Sequence, residues 1–250
     1  MLNNPFFRGL IDLIFPPRCL GTGEIVSAQH AFSPDFWAEL DFIKAPKCVI
    51  CGYPLPYEVG DQAQCTSCLN KKPSFVKGGS VFVYNEAIAQ LILPFKHGDQ
   101  TEIAPTLAHW LAQYCHETYG QNIHAQIDYI IPVPLHKHRF WKRRYNQAAL
   151  LSKHLSKALN IPHIPDGITR HKKTISQGSM KPDDRRKNVK NAFAITDKYK
   201  ERILGKNILV IDDVYTSGAT LHEICHMLAK EAKIQTHILT LARAIKDGDL

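Results

Sequence analysis

The stretch Ile208-Leu-Val-Ile-Asp-Asp-Val-Tyr-Thr-Ser-Gly-Ala-Thr220 decides the fold of this 250-residue chain. An apolar run of strand length ends in two acidic residues, and a short loop then opens a helix near Leu221. In open α/β sheets, ligands bind beyond the carboxyl ends of the strands, which is where Asp212 and Asp213 are expected. Neighbouring carboxylates can accept hydrogen bonds from two vicinal hydroxyls of a ribose. The stretch therefore predicts an α/β protein with a sugar site at one strand end.

The loop after this strand has the composition of a phosphate-binding turn. Its hydroxyls and closely spaced backbone N–H groups lie at the start of a helix, where the positive end of the helix dipole favours a phosphate dianion. Glycine allows the backbone to approach a ligand closely. The candidate phosphate ligands are Thr216, Ser217, Gly218, Ala219 and Thr220. A Walker P-loop is excluded because no Gly-Lys-Ser/Thr sequence follows the strand, and the Rossmann glycine pattern is also missing.

A second anion site is expected in the basic stretch that follows Ile131-Pro-Val-Pro-Leu-His136. A turn after a strand can present backbone amides to a pyrophosphate, and nearby cations neutralise its charge. The candidate pyrophosphate ligands are Leu135, His136, Lys137 and Arg144. A charge run alone is more typical of a solvated face or a nucleic-acid surface. The acidic strand end downstream makes pyrophosphate the better interpretation.

The region from residue 78 onward alternates strands with helices. Apolar runs of strand length occur at Ser80–Tyr84, Asp128–Val133, Asn207–Ile211 and Thr236–Leu241, and helical spacing at Ala87–Phe95, Glu102–Tyr119 and Gln147–Leu159. This alternation predicts a mostly parallel sheet with helices on both faces. Prolines interrupt the chain before this region. We therefore expect two domains, residues 1–77 and 78–250.

The N-terminal domain contains two C-x2-C pairs, Cys48 with Cys51 and Cys65 with Cys68. Two tight turns at this spacing can present four thiolates tetrahedrally to one Zn2+. Four thiolates leave no coordination position for a substrate, so a zinc ion here is structural, and its binding energy replaces a hydrophobic core. We expect one Zn2+ per chain. The alternative is four reduced thiols without a metal.

The net charge indicates the class of partner, and the cysteines indicate the cellular compartment. The 31 Lys and Arg residues exceed the 23 Asp and Glu residues, giving a formal net charge of +8 that favours polyanionic partners. The apolar N-terminal stretch Phe6–Phe15 is too short to span a bilayer and has no signal-peptide cleavage pattern behind it. We therefore expect no membrane span and a cytoplasmic, reducing location, where cysteines are metal ligands or buried thiols.

Several motifs together resemble the ComF (competence protein F) family, which implies a type I phosphoribosyltransferase fold preceded by a zinc ribbon. These motifs are the stretch 208–220, Pro132–His136, Arg143–Ala148, Phe95–Asp99, Arg185–Val189 and the cysteine pairs. The resemblance covers essentially the whole chain. It implies that Asp212 and Asp213 hold the ribose of 5-phosphoribosyl pyrophosphate (PRPP), that the loop 216–220 holds the 5′-phosphate, and that Mg2+ is bound mainly by ligand oxygens.

The resemblance also implies a degenerate double zinc ribbon. Many relatives carry two knuckle sets in tandem, and Cys19 stands where the first set would begin. Thr22 replaces the second cysteine of that knuckle, while Ser33 and Phe36 stand where the second half of the set would supply two more. We expect that the first zinc site is lost and that Cys19 is an unliganded thiol.

A polar, basic segment from Thr169 to Lys200 shows little periodicity and is too long for an ordinary connection. We expect a mobile loop that closes like a hood over a bound polyanion. The candidate hood or nucleic-acid residues are Arg185, Arg186, Lys187 and Lys190. The alternative is a solvated basic surface.

The ComF resemblance implies a PRPP-binding protein in DNA uptake and natural transformation, with incoming single-stranded DNA and a competence helicase as partners. Catalysis is left open. An active enzyme would release pyrophosphate from Mg-PRPP through a cation-like ribosyl transition state, with Asp212 and Asp213 as catalytic residues. The rival interpretation is a metabolic phosphoribosyltransferase that transfers the phosphoribosyl group to a base or an amine.

Overall fold

The computed structural model describes residues 15–29, 31–57, 60, 62–135, 144–172 and 182–245. The strands are β1 (Lys77–Val83), β2 (Tyr129–Pro132), β3 (Ile168–Arg170), β4 (Phe193–Ile195), β5 (Asn207–Tyr215) and β6 (Gln235–Arg243). The helices are α1 (Pro34–Ala38), α2 (Thr66–Asn70), α3 (Glu86–His97), α4 (Ala104–Tyr119), α5 (Ile123–Gln126), α6 (Gln147–Leu159), α7 (Pro182–Val189), α8 (Lys200–Ile203) and α9 (Ala219–Ala232). Within these ranges, every helix is too short or too polar to cross a bilayer.

The central sheet has the strand order β1-β6-β5-β2, and each neighbouring pair is parallel. On the outer edge of β1, residues 41–43 run antiparallel to the strand, with Ile43 N donating to Val81 O at 2.8 Å and Val83 N donating to Asp41 O at 2.9 Å. The predicted mostly parallel sheet is therefore confirmed. Its outer edge is protected by the N-terminal region.

Helices cover both faces of the sheet, as the sequence predicts. On β5, Leu209 and Ile211 face the cluster formed with α3, α4 and α6, whereas Ile208 and Val210 face the cluster formed with α9. All four side chains are fully buried. Alternate residues of a strand point to opposite faces, so a strand that is covered on both sides reads as a continuous apolar run.

The two halves of the N-terminal region lie against different parts of this core. Cys19, Phe36 and Leu40 join the cluster on the α4 face. The cysteine pairs at 48–51 and 65–68 join the cluster on the α9 face. The backbone fixes this second half to the sheet, because Gly78 N of β1 donates to Ile50 O at 2.6 Å.

The segment from residue 169 to 200 differs from the predicted loop. Its described part contains an antiparallel pair of β3 and β4, followed in space by α7, and both α7 and β4 pack against α9. Val189, Phe193 and Ile195 are buried there. The prediction of a stretch without secondary structure is wrong for these residues, since a few apolar side chains between the charges are enough to bury one side. Residues 173–181 of the segment lie outside the described ranges.

Candidate functional site

The paired acids lie in the last part of β5 rather than beyond it. The strand continues to Tyr215, because β6 runs beside it and places Asp212 opposite Thr240 and Tyr215 opposite Arg243. Asp212 Oδ1 accepts a hydrogen bond from Asp213 N at 2.9 Å. The carboxyl ends of β5 and β6 therefore form one edge of the sheet, and both acids belong to it.

Asp213 is held by a lysine that sequence reasoning did not assign to the site. Lys96 Nζ lies 2.9 Å from Asp213 Oδ1, and both side chains are largely buried. Two side chains fix the end of α3 that carries Lys96, since Tyr145 Oη donates to Phe95 O at 2.6 Å and Gln147 Nε2 donates to Lys96 O at 3.2 Å. The Tyr-Asn-Gln sequence at the start of α6 thus positions a cation beside the acids.

A cleft of about 370 Å3 opens at this edge. Asp212 and Asp213 lie on its wall together with three basic residues, Lys96, Arg170 and Arg185. Arg170 ends β3 and is 8% exposed, with its guanidinium carbon 5.3 Å from the centre of the Phe193 ring. The cleft therefore combines two acceptor carboxylates with cations that can neutralise a phosphorylated ligand.

Burial and charge act against each other on the acids. Burial, followed by the neighbouring Asp213 carboxylate, raises the pKa of Asp212 to about 7, while Lys96 and Arg170 oppose that rise. A carboxyl group with a pKa this high changes its charge within the physiological pH range. The site thus has a group whose ability to accept hydrogen bonds depends on pH.

The loop that follows β5 has the geometry of an anion-binding turn. Gly218 is the N-cap of α9 and has a φ of +70°, a left-handed conformation that favours glycine. A Cβ atom at this position would overlap the hydroxyl of Tyr215, so a larger residue also requires the Tyr215 side chain to shift. The loop residues that face the cleft are Thr216, Gly218, Ala219 and Thr220. Four of the five predicted phosphate ligands therefore lie beside the acids.

The fifth loop residue, Ser217, faces a different cavity. Its Oγ is buried, and it has no hydrogen-bond partner within the described part of the chain. Of the predicted pyrophosphate ligands, Leu135 lies on the wall of the cleft. The side chain of Arg144 is 81% exposed and pairs with Asp99 at 3.5 Å, away from the cleft wall. His136 and Lys137 lie outside the described residues.

The four cysteines of the C-x2-C pairs converge on one point. Their Sγ atoms all lie within 4.8 Å of one another, all four residues are buried, and none forms a disulfide. Cys51 Sγ and Cys65 Sγ are 3.6 Å apart. Tetrahedral zinc with Zn–S bonds of about 2.3 Å requires sulfur atoms about 3.8 Å apart. The donor set therefore fits a structural Zn2+ with no open coordination position.

The turn that begins at Cys19 also has a buried thiol, but Thr22, Ser33 and Phe36 stand where the other three cysteines of a zinc site are expected. Cys19 is 3% exposed, and its Sγ accepts hydrogen bonds from Thr22 N at 3.5 Å and Ser33 N at 3.3 Å. The Phe36 ring packs so closely on Gly21 that a Cβ atom there would overlap it. Burial acts to raise the pKa of Cys19, but hydrogen bonds from Thr22 and Ser33 outweigh it and lower the pKa to about 7. The Phe36 ring thus packs directly on the turn that begins at Cys19.

A second cavity, of about 1260 Å3, lies between the cysteine pairs and the outer side of the loop after β5. Six basic residues line it, namely Lys71, Lys72, Arg186, Lys187, Lys190 and Arg243. Among its described lining residues, Glu223 is the only acid, and its Oε1 accepts a hydrogen bond from Asn191 N at 2.7 Å. The predicted hood residues are therefore divided, with Arg185 at the smaller cleft and the other three at this basic cavity.

Sequence reasoning missed Lys96, Arg170, Tyr215 and Arg243. A signal for Arg243 exists, because it ends the buried strand β6, and charged residues at the carboxyl ends of parallel strands point to a site. Lys96 and Arg170 have no comparable signal. Their place in the cleft depends on how α3 and the β3–β4 pair pack against the sheet.

A parallel strand that carries two carboxylates near its end, a hydroxyl-rich loop at the next helix and facing cations define an α/β protein whose mostly parallel sheet has a cleft at one edge. Residues 10–69 match the family described as "Double zinc ribbon domain". Among solved structures, an adenine phosphoribosyltransferase aligns with a TM-score of 0.36 and 14% identity, over 68% of this chain and 82% of that chain.

Sequence relatives give the family. Competence protein F of Haemophilus influenzae is 37% identical over 199 residues, which covers 80% of this chain and 85% of that protein. DNA utilization protein YhgH of Escherichia coli O157:H7 is 30% identical over 201 residues, covering 79% and 84%. The chain belongs to the ComF family.

Proposed function

We propose that this chain binds PRPP and acts in DNA uptake during natural transformation, handling incoming single-stranded DNA in the cytoplasm. The observation that carries the proposal is the cleft at the end of β5, where carboxylates for a ribose, a loop for a phosphate and three cations face one space. The names of the relatives, which refer to competence and DNA utilization, support the part that concerns DNA. A competence helicase is a further proposed partner.

Each part of the cleft has a role in this proposal. Asp212 and Asp213 accept hydrogen bonds from the ribose hydroxyls, and the loop 216–220 holds the 5′-phosphate through its N–H groups and hydroxyls. The cations Lys96, Arg170 and Arg185, with the backbone at Leu135, face the pyrophosphate. Mg2+ would accompany PRPP, bound mainly by ligand oxygens, and would supply neutralisation of the phosphate charge.

The first experiment replaces both acids, Asp212→Asn with Asp213→Asn, and measures Mg-PRPP binding by calorimetry. Hydrogen bonds to charged acceptors contribute about 1.5–3 kcal/mol each, so the loss of two should weaken binding by more than about a hundredfold. Asp212 accepts hydrogen bonds best when ionised, and its pKa is about 7. Wild-type affinity should therefore rise between pH 6 and pH 8 by more than it does in the double variant.

The matched control is Asp166→Asn with Asp197→Asn, which removes two carboxylates that form exposed ion pairs with Lys198 and Lys200. This control should bind Mg-PRPP as the wild type does. Unchanged affinity in the Asp212 and Asp213 double variant would place the ribose elsewhere. Wild-type protein that does not bind Mg-PRPP at all would refute the proposal.

The basic cavity supports the nucleic-acid part of the proposal. Arg186, Lys187 and Lys190 from the α7 region line it together with Lys71 and Lys72. Tyr53, Tyr57 and Phe75 also line this space. Cations that follow a phosphate backbone and aromatic rings on which bases stack are the usual components of single-strand binding surfaces.

The second experiment replaces Arg186, Lys187 and Lys190 with Ala and measures the affinity for a short single-stranded oligonucleotide across a salt series. Each lost phosphate contact removes about 0.7 from the slope of log affinity against log salt, so the slope should fall by up to about 2. Alanine at Lys198, Lys200 and Lys206, which pair with acids before β5, is the control. An unchanged slope would assign the cavity residues to a solvated surface.

Titration with both ligands together separates the proposal from the rival metabolic enzyme. A PRPP-binding protein in DNA uptake binds both the oligonucleotide and Mg-PRPP, and the two ligands bind either in competition with each other or independently. A metabolic phosphoribosyltransferase releases pyrophosphate when a base or an amine is added, and it has no affinity for the oligonucleotide. The two readouts are independent, so each interpretation can fail alone.

A further inference from the structure

One buried cation connects the cysteine pairs with the loop after β5. Arg243 is the last residue of β6 and is 2% exposed. Its Nη1 donates a hydrogen bond to Cys51 Sγ at 3.4 Å. Its guanidinium carbon lies 4.1 Å from the centre of the Tyr215 ring and 5.6 Å from that of Tyr53. The same side chain therefore contacts a zinc-ligand sulfur, an aromatic ring of the ribbon and the residue that precedes the loop.

Tyr215 passes this contact on to the loop. It lies opposite Arg243 in the register of β5 and β6, and Ala244 N donates to Tyr215 O at 2.9 Å. Its Oη is hydrogen-bonded with His222 Nε2 at 3.1 Å, in the first turns of α9. The hydroxyl also occupies the space that a Cβ at Gly218 would need. The position of the Tyr215 ring therefore restricts both the loop and the start of its helix.

Charge explains why an arginine stands here. A guanidinium that is nearly excluded from water is costly unless an anion or polarised acceptors compensate it. Zinc bound by four thiolates is a centre with two net negative charges, so the N–H donated to Cys51 is a charge-assisted hydrogen bond. The face of Tyr215 provides a second favourable contact for the cation. A lysine would offer a point charge without the planar fork that reaches the sulfur while it stacks on the ring.

We propose that Arg243 is a positioning residue that couples the zinc ribbon to the loop Thr216–Thr220. Zinc fixes Cys51, Cys51 orients Arg243, and Arg243 holds Tyr215 against Gly218, which keeps the loop in its anion-binding shape. The coupling goes beyond the proposed function, because it concerns the loop itself and does not depend on which ligand the loop receives. The ribbon then acts on the site as well as stabilising the N-terminal region.

The test measures amide hydrogen exchange at Thr216–Thr220 in the wild type and in variants of Arg243. Each protein is full-length, zinc-loaded and without ligand. Arg243→Met should keep one zinc ion per chain and should accelerate exchange in the loop at least tenfold. Arg243→Lys should give a smaller acceleration, which distinguishes the fork geometry from charge alone. Arg202→Met is the matched control, because Arg202 also lies over a tyrosine ring, 5.2 Å from Tyr129, but is exposed and distant from the loop. It should leave loop exchange unchanged.

A second variant covers the case in which Arg243→Met does not fold. Tyr215→Leu leaves the contact between Arg243 and Cys51 in place and removes the next one, so it should accelerate loop exchange while zinc content stays at one ion. Loop exchange within twofold of the wild type in a folded, zinc-loaded Arg243→Met or Tyr215→Leu protein overturns the coupling.

A spectroscopic measurement tests the coupling in the opposite direction, from the loop to the metal site. With Co2+ in place of zinc, Mg-PRPP should shift the visible absorption bands of the wild type and leave those of Arg243→Met unchanged, because coupling between two sites is reciprocal. Bands that do not move although calorimetry shows bound Mg-PRPP overturn the coupling. Wild-type protein that does not bind Mg-PRPP refutes the proposed function instead, and the exchange experiment then decides the coupling alone.

Discussion

The two halves of the N-terminal ribbon contain similar turns that are held by different means. In one half, four sulfur atoms lie within 4.8 Å of one another, in a set that fits zinc. In the other half, Phe36 packs on the turn that Cys19 begins, and Phe32 stacks between Phe36 and Trp110 with ring centres 5.6 and 5.3 Å away. Both halves bury their turn.

The difference follows from what lies next to each half. The aromatic half packs on α4 and β1, where Trp110 and Phe82 extend the main core. The sulfur half lies beside a cavity of about 1260 Å3 with a basic lining. The sulfur half joins the cluster on the α9 face but also borders this cavity, so a bound metal can supply part of the stabilisation that aromatic packing supplies in the other half.

The largest effect is expected from Cys48→Ser. Zinc binding in small structural sites contributes about 10–16 kcal/mol in isolated peptides, far more than one side chain contributes to packing. The variant should lose its zinc and unfold residues 46–70, while the aromatic half and the sheet stay native. Metal analysis and limited proteolysis measure this, with Cys19→Ser as the control that keeps one zinc ion. Two zinc ions per wild-type chain would contradict the comparison.

A smaller effect is expected from Phe36→Ala. Phe36 is 1% exposed, and truncating a buried phenylalanine costs about 3–5 kcal/mol. Denaturant unfolding should show this loss with the zinc content unchanged. Tyr57→Ala, which removes a ring that is 66% exposed from the sulfur half, should alter stability by less than about 0.5 kcal/mol. If zinc were lost from Phe36→Ala, the two halves would not be independent.

The smallest effect is expected from Cys19→Ser and depends on pH. The pKa of Cys19 in the folded chain is about 7, below its ordinary value of 9.0. A depressed pKa stabilises the fold fully above pH 9 and loses that contribution as the pH falls towards 7. The wild type should therefore gain stability over the variant between pH 6 and pH 9, by about 2 kcal/mol. Denaturant unfolding under reducing conditions at pH 6 and pH 9 measures this gain. If the free energies of unfolding of the wild type and the variant differed by the same amount at both pH values, Cys19 would be neutral throughout.

Local patterns predicted the framework well. The helix Gln147–Leu159 has the bounds that its apolar spacing indicates. The apolar runs at 207–211 and 236–241 lie in β5 and β6, and the run at 128–133 contains β2, Tyr129–Pro132. The end of β5 and the place of Lys96 were not predicted, and both omissions have the same cause. The strand β5 continues through Asp212 and Asp213 because β6 pairs beside it and Lys96 accompanies the acids, and neither partner is visible in the local sequence.

The same limit applies to the site. The sequence predicted the acids and the loop because both follow one strand, and the structure places them around one cleft. The cations that face them come from α3, from the β3–β4 pair and from α7, which are distant in sequence. Their positions depend on packing, so composition indicated only that the chain is basic.

The aromatic half of the ribbon also has a consequence for the order in which the chain folds during synthesis. Cys48 and Cys68 are close in sequence, so zinc can close their turns as soon as that short segment leaves the ribosome. Phe32 stacks on Trp110, which is made only after β1 and α3. The half that is synthesised first therefore waits for α4, and the half that is synthesised second can be complete before it.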